Sequence, residues 1–317
     1  MQRVITEALI SDLAYRLLKK AVVVLPPQFV GLLQQAYDRE RNQRAQMNLR
    51  TMLDAVRVAE EEDRPICQDT GLLFYHVIVG GKVRIEGDLN RALIQAAEKA
   101  TQDVPLRPNA VHPISRQNLG TNSGWGIPYT YYDFAPGVDY LEISAIPKGG
   151  GGAAQTTFVN IPPIGPKVKP MIKGVLEAIV NAKSACPPLI VGVCVGGSKD
   201  LAVKTATLAV FRQPTGSLNP DPEAQALELE LLEAANRLNI GPVALGGDTS
   251  VLALHLEIRG CHTAAAPCAV AFNCWPLRIA TARIYPDGRI EEVTHPSSQA
   301  MPPHPRPLPR KRGRGRG

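Results

Sequence analysis

The sequence lacks any uninterrupted apolar run near the ~20 residues that a membrane-spanning helix needs. The most apolar candidate, residues 21–33 (AVVVLPPQFVGLL), is short and is broken by Pro26 and Pro27. The first residues include Glu7 and Asp12 and show no small-residue cleavage pattern, so we do not expect a signal peptide. These absences argue against a membrane protein and favour a cytoplasmic location.

Common cofactor motifs are also missing. None of the six cysteines belongs to a CxxC pair, which disfavours a zinc ribbon or a ferredoxin-type cluster motif. A large chain with these spacings is not expected to be a disulfide framework. Lys148 precedes the four glycines at 149–152, so the phosphate-binding pattern GxxxxGK[ST] is absent.

The net charge of +6 has one source, the tail at 302–317 (PPHPRPLPRKRGRGRG). Six of the 35 basic residues lie there, and without them 29 basic residues face 29 acidic ones. Such a composition cannot form a core, so we expect 301–317 to be a disordered basic tail. The tail could bind polyanions in a salt-dependent way, but the neutral body gives no reason to expect a nucleic acid partner.

Hydrophobic periodicity predicts an α+β fold, or an irregular α/β one. Residues 4–24 and 28–62 read as helices. Strands and helices then follow without a clean βαβ alternation. We therefore expect one domain over 1–300, with a helical start at 1–63 and a mixed α/β part at 64–300.

Local signals predict several element boundaries. Asp88 is placed to cap the N-terminus of a helix, and residues 286–288 (PDG) form a hairpin turn. A strand, a turn at Gly80–Gly81 and a second strand are expected over 72–87. The apolar run 188–197 (PLIVGVCVGG) is typical of a fully buried strand.

Two polar loops carry groups suited to an anionic ligand. Residues 104–127 include Arg107, whose guanidinium can hold a carboxylate with two hydrogen bonds. Residues 148–157 contain the four glycines, which allow close backbone approach and can form an anion-binding nest of amides. A purely structural glycine turn is the alternative.

The cysteines fall into different sequence environments. Three stand where a predicted element meets a loop: Cys67, Cys186 and Cys274. Cys194 lies inside an apolar strand and is expected to be an inert packed thiol. Cys261 and Cys268 flank HTAAAP and are either metal ligands or small buried residues.

Six sequence blocks together resemble the α subunit, or N-terminal domain, of class I fumarate hydratase. They are ICQDTG, LRPNAVHP, GTNSGWGIP, PKGGGGAAQTTF, ACPPLIVGVCVGGS and GGDTSVLALHLEIRGCHTAAAPCAVAFNCWPLR. The closely related L(+)-tartrate dehydratase α subunit shares this pattern. The resemblance extends from the N-terminal helices to about residue 285, and the order of the blocks makes it specific.

The resemblance implies an oxygen-sensitive [4Fe–4S] hydro-lyase in which three cysteines hold the cluster and the fourth iron stays open to substrate. Matched by motif, the ligands are Cys67, Cys186 and Cys274. Cys261 is the main rival for the third position, and Cys268 is a further surplus cysteine. Cys274 is preferred because the family ligand follows its HTAA block by about a dozen residues.

The resemblance also implies a reaction and roles for particular residues. It implies reversible dehydration of a 2-hydroxydicarboxylate, with (S)-malate to fumarate first and L(+)-tartrate to oxaloacetate as the alternative. Arg107 and amides around Gly150 would bind a substrate carboxylate, and Gln68, beside the first ligand Cys67, would hydrogen-bond the substrate. Asp69 and His262 are the predicted catalytic residues.

Single-chain members of the resembled family continue into a second domain that supplies further arginines, a lysine and a threonine thought to act as base. We therefore expect a separate β subunit to complete the site, in an α2β2 assembly. The non-enzymatic alternative is a metal- or RNA-binding module that uses the Arg-rich tail.

Overall fold

The computed structural model describes residues 4–162 and 168–293, so the predicted basic tail lies outside the described residues. After a short strand, β1 (Ile5–Thr6), come three helices: α1 (Glu7–Val23), α2 (Pro27–Arg39) and α3 (Gln43–Glu61). The helix predicted over 28–62 is therefore two helices. Asn42 explains the break, because its side chain accepts hydrogen bonds from the amides of Arg44 and Ala45 and so starts α3.

Strands and helices alternate irregularly over the rest of the described chain. The further strands are β2 (Leu72–Gly80), β3 (Ile85–Glu86), β4 (Tyr129–Ala135), β5 (Leu141–Lys148), β6 (Thr157–Asn160), β7 (Leu189–Val195), β8 (Val251–Ile258), β9 (Pro267–Asn273), β10 (Ala280–Ile284) and β11 (Ile290–Val293). The further helices are α4 (Leu89–Asp103), α5 (Gly150–Ala154), α6 (Val168–Asn181), α7 (Lys199–Val210), α8 (Pro222–Asn236) and a 3-10 turn at Pro242–Ala244. This mixture confirms the predicted α+β class.

Two mixed sheets dominate the fold. The larger has the order β11-β10-β5-β2-β4, and only its β2–β4 pair is parallel. The smaller has the order β6-β9-β7-β8, and only its β7–β8 pair is parallel. The strand expected after the Gly80–Gly81 turn is only two residues long, and it pairs with β1 instead of returning along β2.

Three hydrophobic cores lie between the layers of helices and sheets. The first packs α1 and α4 against the five-stranded sheet. The second lies between the two sheets and includes Phe29, Phe74 and Ile190. The third packs α6 and α8 against the other face of the four-stranded sheet. Because β7 is buried on both faces, its side chains are apolar throughout, as the sequence predicted.

Several local predictions are confirmed. The Asp88 side chain accepts a hydrogen bond from the Arg91 amide and caps α4. Residues 286–288 close the antiparallel β10–β11 hairpin, where the Gly288 amide donates to the Tyr285 carbonyl. No helix among the described residues is long and apolar enough to cross a membrane.

Candidate active site

Three cysteines that are far apart in sequence, Cys67, Cys186 and Cys274, meet where strands of the two sheets begin or end. We call this place the cysteine edge. Cys186 precedes β7 and Cys274 follows β9, and because these strands are antiparallel the two residues become neighbours. The Cys186 amide donates to the Cys274 Sγ at 3.4 Å. Burial raises the pKa of the Cys186 thiol, and the nearby Cys274 and Cys67 raise it further. All three thiols are free and at least partly exposed.

The other three cysteines lie elsewhere. Cys194 and Cys268 are fully buried in β7 and β9, and burial raises their pKa values to about 11 and about 12. Cys261 is exposed beyond the opposite end of the sheet, where its thiol donates to the Ala265 carbonyl at 3.1 Å. The structure therefore groups Cys274, and neither Cys261 nor Cys268, with Cys67 and Cys186.

The four glycines at 149–152 contact the segments beside all three grouped cysteines. A Cβ added to Gly149 would lie 3.4 Å from the Asp69 carboxylate, two residues after Cys67. A Cβ on Gly151 would lie 2.1 Å from the Ser184 carbonyl, and one on Gly152 would lie 2.7 Å from the Phe272 carbonyl. At Gly151 and Gly152, only glycine fits these close approaches to backbone. We call residues 149–152 the glycine junction.

Asp69 binds the glycine junction and the loop at 104–127. One carboxylate oxygen accepts from the Gly150 amide at 2.8 Å, and the other accepts from the Gly71 amide and the Asn109 Nδ2, both at 3.0 Å. Both oxygens are therefore engaged within the chain. The Gly150 amide, predicted to support a substrate carboxylate, is engaged by Asp69 instead.

Gln68 and Arg107 present exposed side chains beside this network. The Arg107 backbone is fixed, since its amide donates to Thr70 Oγ1 at 3.0 Å and its carbonyl accepts from Asn122 Nδ2 at 2.9 Å. Within the described part of the chain, the Arg107 guanidinium has no hydrogen bond or ion pair. A fixed backbone with an unpaired cationic head suits the capture of a carboxylate.

His262 is not brought to the three cysteines. It lies in the exposed loop before β9, whereas Cys274 follows β9, and this strand spans roughly 20 Å at ~3.4 Å per residue. Its Nδ1 accepts from the Ala264 amide at 3.1 Å, so the neutral ring carries its proton on Nε2. Within one chain, His262 and Cys274 belong to opposite ends of the four-stranded sheet.

Two buried cations near the cysteines, Lys148 and Arg278, were not predicted from the sequence to belong to the site. Lys148 ends β5 directly before the glycine junction, and Arg278 donates to the Asp69 carbonyl at 2.5 Å. Burial lowers the pKa of both side chains, whereas nearby Cys274 has the opposite effect on each. Two sequence features could have pointed to these cations: Lys148 directly precedes the four glycines, and Arg278 lies four residues after Cys274.

Among residues 4–162 and 168–293, no three His, Cys, Asp or Glu side chains are arranged to hold a single metal ion. A surface groove of about 580 Å³ lies between α6 and α8, and it contains none of the predicted site residues. The predicted site residues that the structure groups lie at the cysteine edge, and none of them lines this groove.

Comparison with known proteins identifies the family of the chain. A family model described as Fumarate hydratase (Fumerase) matches residues 11–283, which is most of the chain. The chain belongs to this fumarate hydratase family.

Two kinds of relative illustrate the match. A Methanocaldococcus jannaschii protein, named as a candidate L(+)-tartrate dehydratase subunit alpha, is 36% identical over 285 residues, which cover 89% of this chain and 99% of the relative. The L(+)-tartrate dehydratase subunits alpha of Escherichia coli strains UTI89 and K12 are each 37% identical over 276 residues, or 86% of this chain and 90% of theirs. Family and relatives together make this chain a hydro-lyase.

Proposed function

We propose that this chain is the cluster-bearing α subunit of an L(+)-tartrate dehydratase, which converts tartrate to oxaloacetate and water. The observation that carries the proposal is the meeting of Cys67, Cys186 and Cys274 at one exposed edge, in a chain whose relatives bear this name. Malate was the first candidate predicted from the sequence, whereas the names of the relatives favour tartrate.

The donor chemistry fits a [4Fe–4S] cluster. Iron–sulfur clusters are held by cysteine thiolates, and three thiols leave one iron without a protein ligand. Cys67, Cys186 and Cys274 would hold the cluster, with two buried cations close by to offset thiolate charge. When bound, the cluster supplies a Lewis acid that polarises the substrate hydroxyl.

Residues of this chain would bind and orient the substrate. Arg107 offers its guanidinium to one carboxylate, and the exposed Gln68 amide lies next to Cys67 and can hydrogen-bond the substrate. Asp69 was predicted to be catalytic, but three hydrogen bonds within the chain support a positioning role instead. It would hold the Cys67 loop, the glycine junction and Asn109 together.

The elimination also needs a base that removes a proton from the carbon next to the hydroxyl-bearing carbon. The Asp69 carboxylate is engaged, and His262 lies at the far end of the sheet. This supports a separate β subunit that supplies the base, as the name subunit alpha of the relatives suggests. The chain alone would then bind a cluster and turn over slowly or not at all.

The test is anaerobic purification of the chain with and without its β subunit, followed by iron and sulfide analysis and steady-state rates. We expect iron and sulfide in both samples, and turnover only in the complex. The complex should have a higher kcat/KM on L(+)-tartrate than on (S)-malate. A chain without iron and sulfide, or full turnover by the chain alone, would overturn the proposal.

Malate dehydration is the second candidate, because the matching family model carries the description Fumarate hydratase. Both substrates present two carboxylates around a hydroxyl, so Arg107 suits either one. A higher kcat/KM on (S)-malate than on L(+)-tartrate would replace the first candidate with this one.

A further inference from the structure

Lys148 is a buried cation without a partner. The residue is 9% exposed at the end of β5, and its amine makes no hydrogen bond or ion pair within the described residues. Burial lowers the pKa of Lys148 to about 8, while Cys274 acts in the opposite direction.

Arg278 is a second buried cation on the same side of the site. It is 3% exposed, and its Nε has no hydrogen-bond partner. A Cβ added to Gly149 would lie 3.0 Å from the Arg278 Nη2, so the guanidinium contacts the residue that follows Lys148. The charges of Cys67, Asp69 and Cys274 all favour the charged form of Arg278.

Among residues 4–162 and 168–293, the local charges around Lys148 and Arg278 do not balance. Asp69 is the carboxylate identified beside Arg278, and its oxygens accept hydrogen bonds from two backbone amides and Asn109. Arg278 thus has one carboxylate beside it, and the Lys148 amine has none as a hydrogen-bonded or ion-paired partner among the described residues. Burial of an unpaired charge is costly, so such a group is normally kept to meet a charge of opposite sign. The three thiols lie where such an anion would be held.

We propose that Lys148 and Arg278 act together as a cation pair that offsets the negative charge of an iron–sulfur cluster on the three thiols and raises its reduction potential. The inference rests on the proposed function, since it requires the cluster. Reduction adds an electron, and net charge around a cluster is one of the factors that set its potential. Both cations would be positioning residues that act through the cluster.

The test uses the complex of this chain with its β subunit and three charge variants. Lys148→Met removes the charge at similar length, Lys148→Gln removes it with a polar group, and Lys148→Arg keeps it. The probe is the midpoint potential of the cluster, titrated with dithionite and followed by the electron paramagnetic resonance of the reduced form. We expect a more negative midpoint in the Met and Gln variants and a wild-type midpoint in Lys148→Arg.

Lys204→Met is the matched control. Lys204 is also a partly buried lysine, but its amine pairs with Asp133 at 2.6 Å, away from the cysteine edge. Its removal should leave the midpoint unchanged. An unchanged midpoint in Lys148→Met, or equal shifts in the Met and Arg variants, would overturn the inference, because the effect would then not follow charge.

A second measurement separates charge from packing. In the complex stripped of iron, an unpaired buried cation is a cost, so Lys148→Met should keep or raise the thermal midpoint of unfolding. A lowered midpoint in the iron-free variant would mean that Lys148 is structural and would contradict the inference. If the wild-type complex contains no iron and sulfide, the proposed function fails first, and the inference fails with it.

Discussion

The two ends of the four-stranded sheet carry similar residue types in different settings. At one end, Cys186 and Cys274 are neighbours, supported by the glycine junction and by two buried cations. At the other end, Cys261 and His262 lie in an exposed loop and make local contacts with Ala264 and Ala265. His262 and Cys274 are only twelve residues apart in sequence, yet they lie at opposite ends of the sheet because the strand β9 runs between them.

The largest effect should come from exchanging a cysteine at each end. Cys274→Ser should abolish cluster retention and turnover, because two thiols remain for the cluster. Cys261→Ser is the matched control, and its hydroxyl can still donate to the Ala265 carbonyl. Iron and sulfide content of the anaerobically purified complex measures the difference. Full iron content in Cys274→Ser, or its loss in Cys261→Ser, would reverse the assignment of the two ends.

A glycine exchange at the cysteine edge should have the next largest effect. In Gly151→Ala the new Cβ would lie 2.1 Å from the Ser184 carbonyl, so the chain must shift. Overpacking of this kind costs about 1–3 kcal/mol in the free energy of unfolding, and iron retention should fall as well. In Gly137→Ala the Cβ meets nothing within 4 Å, so the unfolding midpoint should hardly change. Equal midpoints for the two variants would show that the glycine junction is not tightly packed.

Asp69→Asn should have a smaller effect at the same edge. The carboxylate accepts three hydrogen bonds, and the amide of asparagine would turn an NH₂ group toward one or more of these donors. We expect a loss of about 1–2 kcal/mol in the free energy of unfolding. Asp139→Asn is the control, because Asp139 is exposed. Denaturant titration of both variants measures the difference, and matching curves would remove the positioning role of Asp69.

The smallest effect is expected away from the cysteine edge, at Asp133, which pairs with the positive charge of Lys204. The pKa of Asp133 is lowered to about 2, mainly by a hydrogen bond from His76. A hydrogen bond from Lys204 also lowers it. The stabilisation is present above the unfolded pKa of aspartate and is lost as pH falls toward about 2. Asp133→Asn should cost about 1 kcal/mol near neutral pH, since Asp133 is only half-buried.

The pH dependence checks this last expectation. The difference in thermal midpoint between wild type and Asp133→Asn should shrink as pH falls from about 6 to about 3. A difference that stays constant over this range would mean that packing, and not charge, is lost in the variant.

Local elements could be predicted from the sequence because their signals are local. Asp88 caps α4, residues 286–288 turn between β10 and β11, and the apolar run 188–197 contains β7. The break between α2 and α3 was missed although Asn42 is a good cap, because apolar spacing continues across it. The pairing of β3 with β1 was out of reach, since no local pattern links Ile5 to Ile85.

The candidate site shows a similar limit. The grouping of Cys67, Cys186 and Cys274 was expected only through family resemblance, because the fold, and no short motif, brings them together. The separation of His262 from Cys274 was missed because the distance that the seven-residue strand β9 spans was not considered. Lys148 was considered only as part of a phosphate-binding motif, which the sequence does not match. Its burial could not be predicted because it depends on the packing of distant segments.

The glycine junction also bears on the order of assembly. It lies against the Asp69 side chain and the Ser184 and Phe272 carbonyls, each two residues from one of the three grouped cysteines, so protein contacts link the three cysteine segments. Small zinc domains behave differently, since metal binding supplies their folding free energy. Because protein contacts link the cysteine segments of this chain, we expect it to fold before a cluster is inserted. The iron-free protein should therefore accumulate as a folded substrate for cluster insertion.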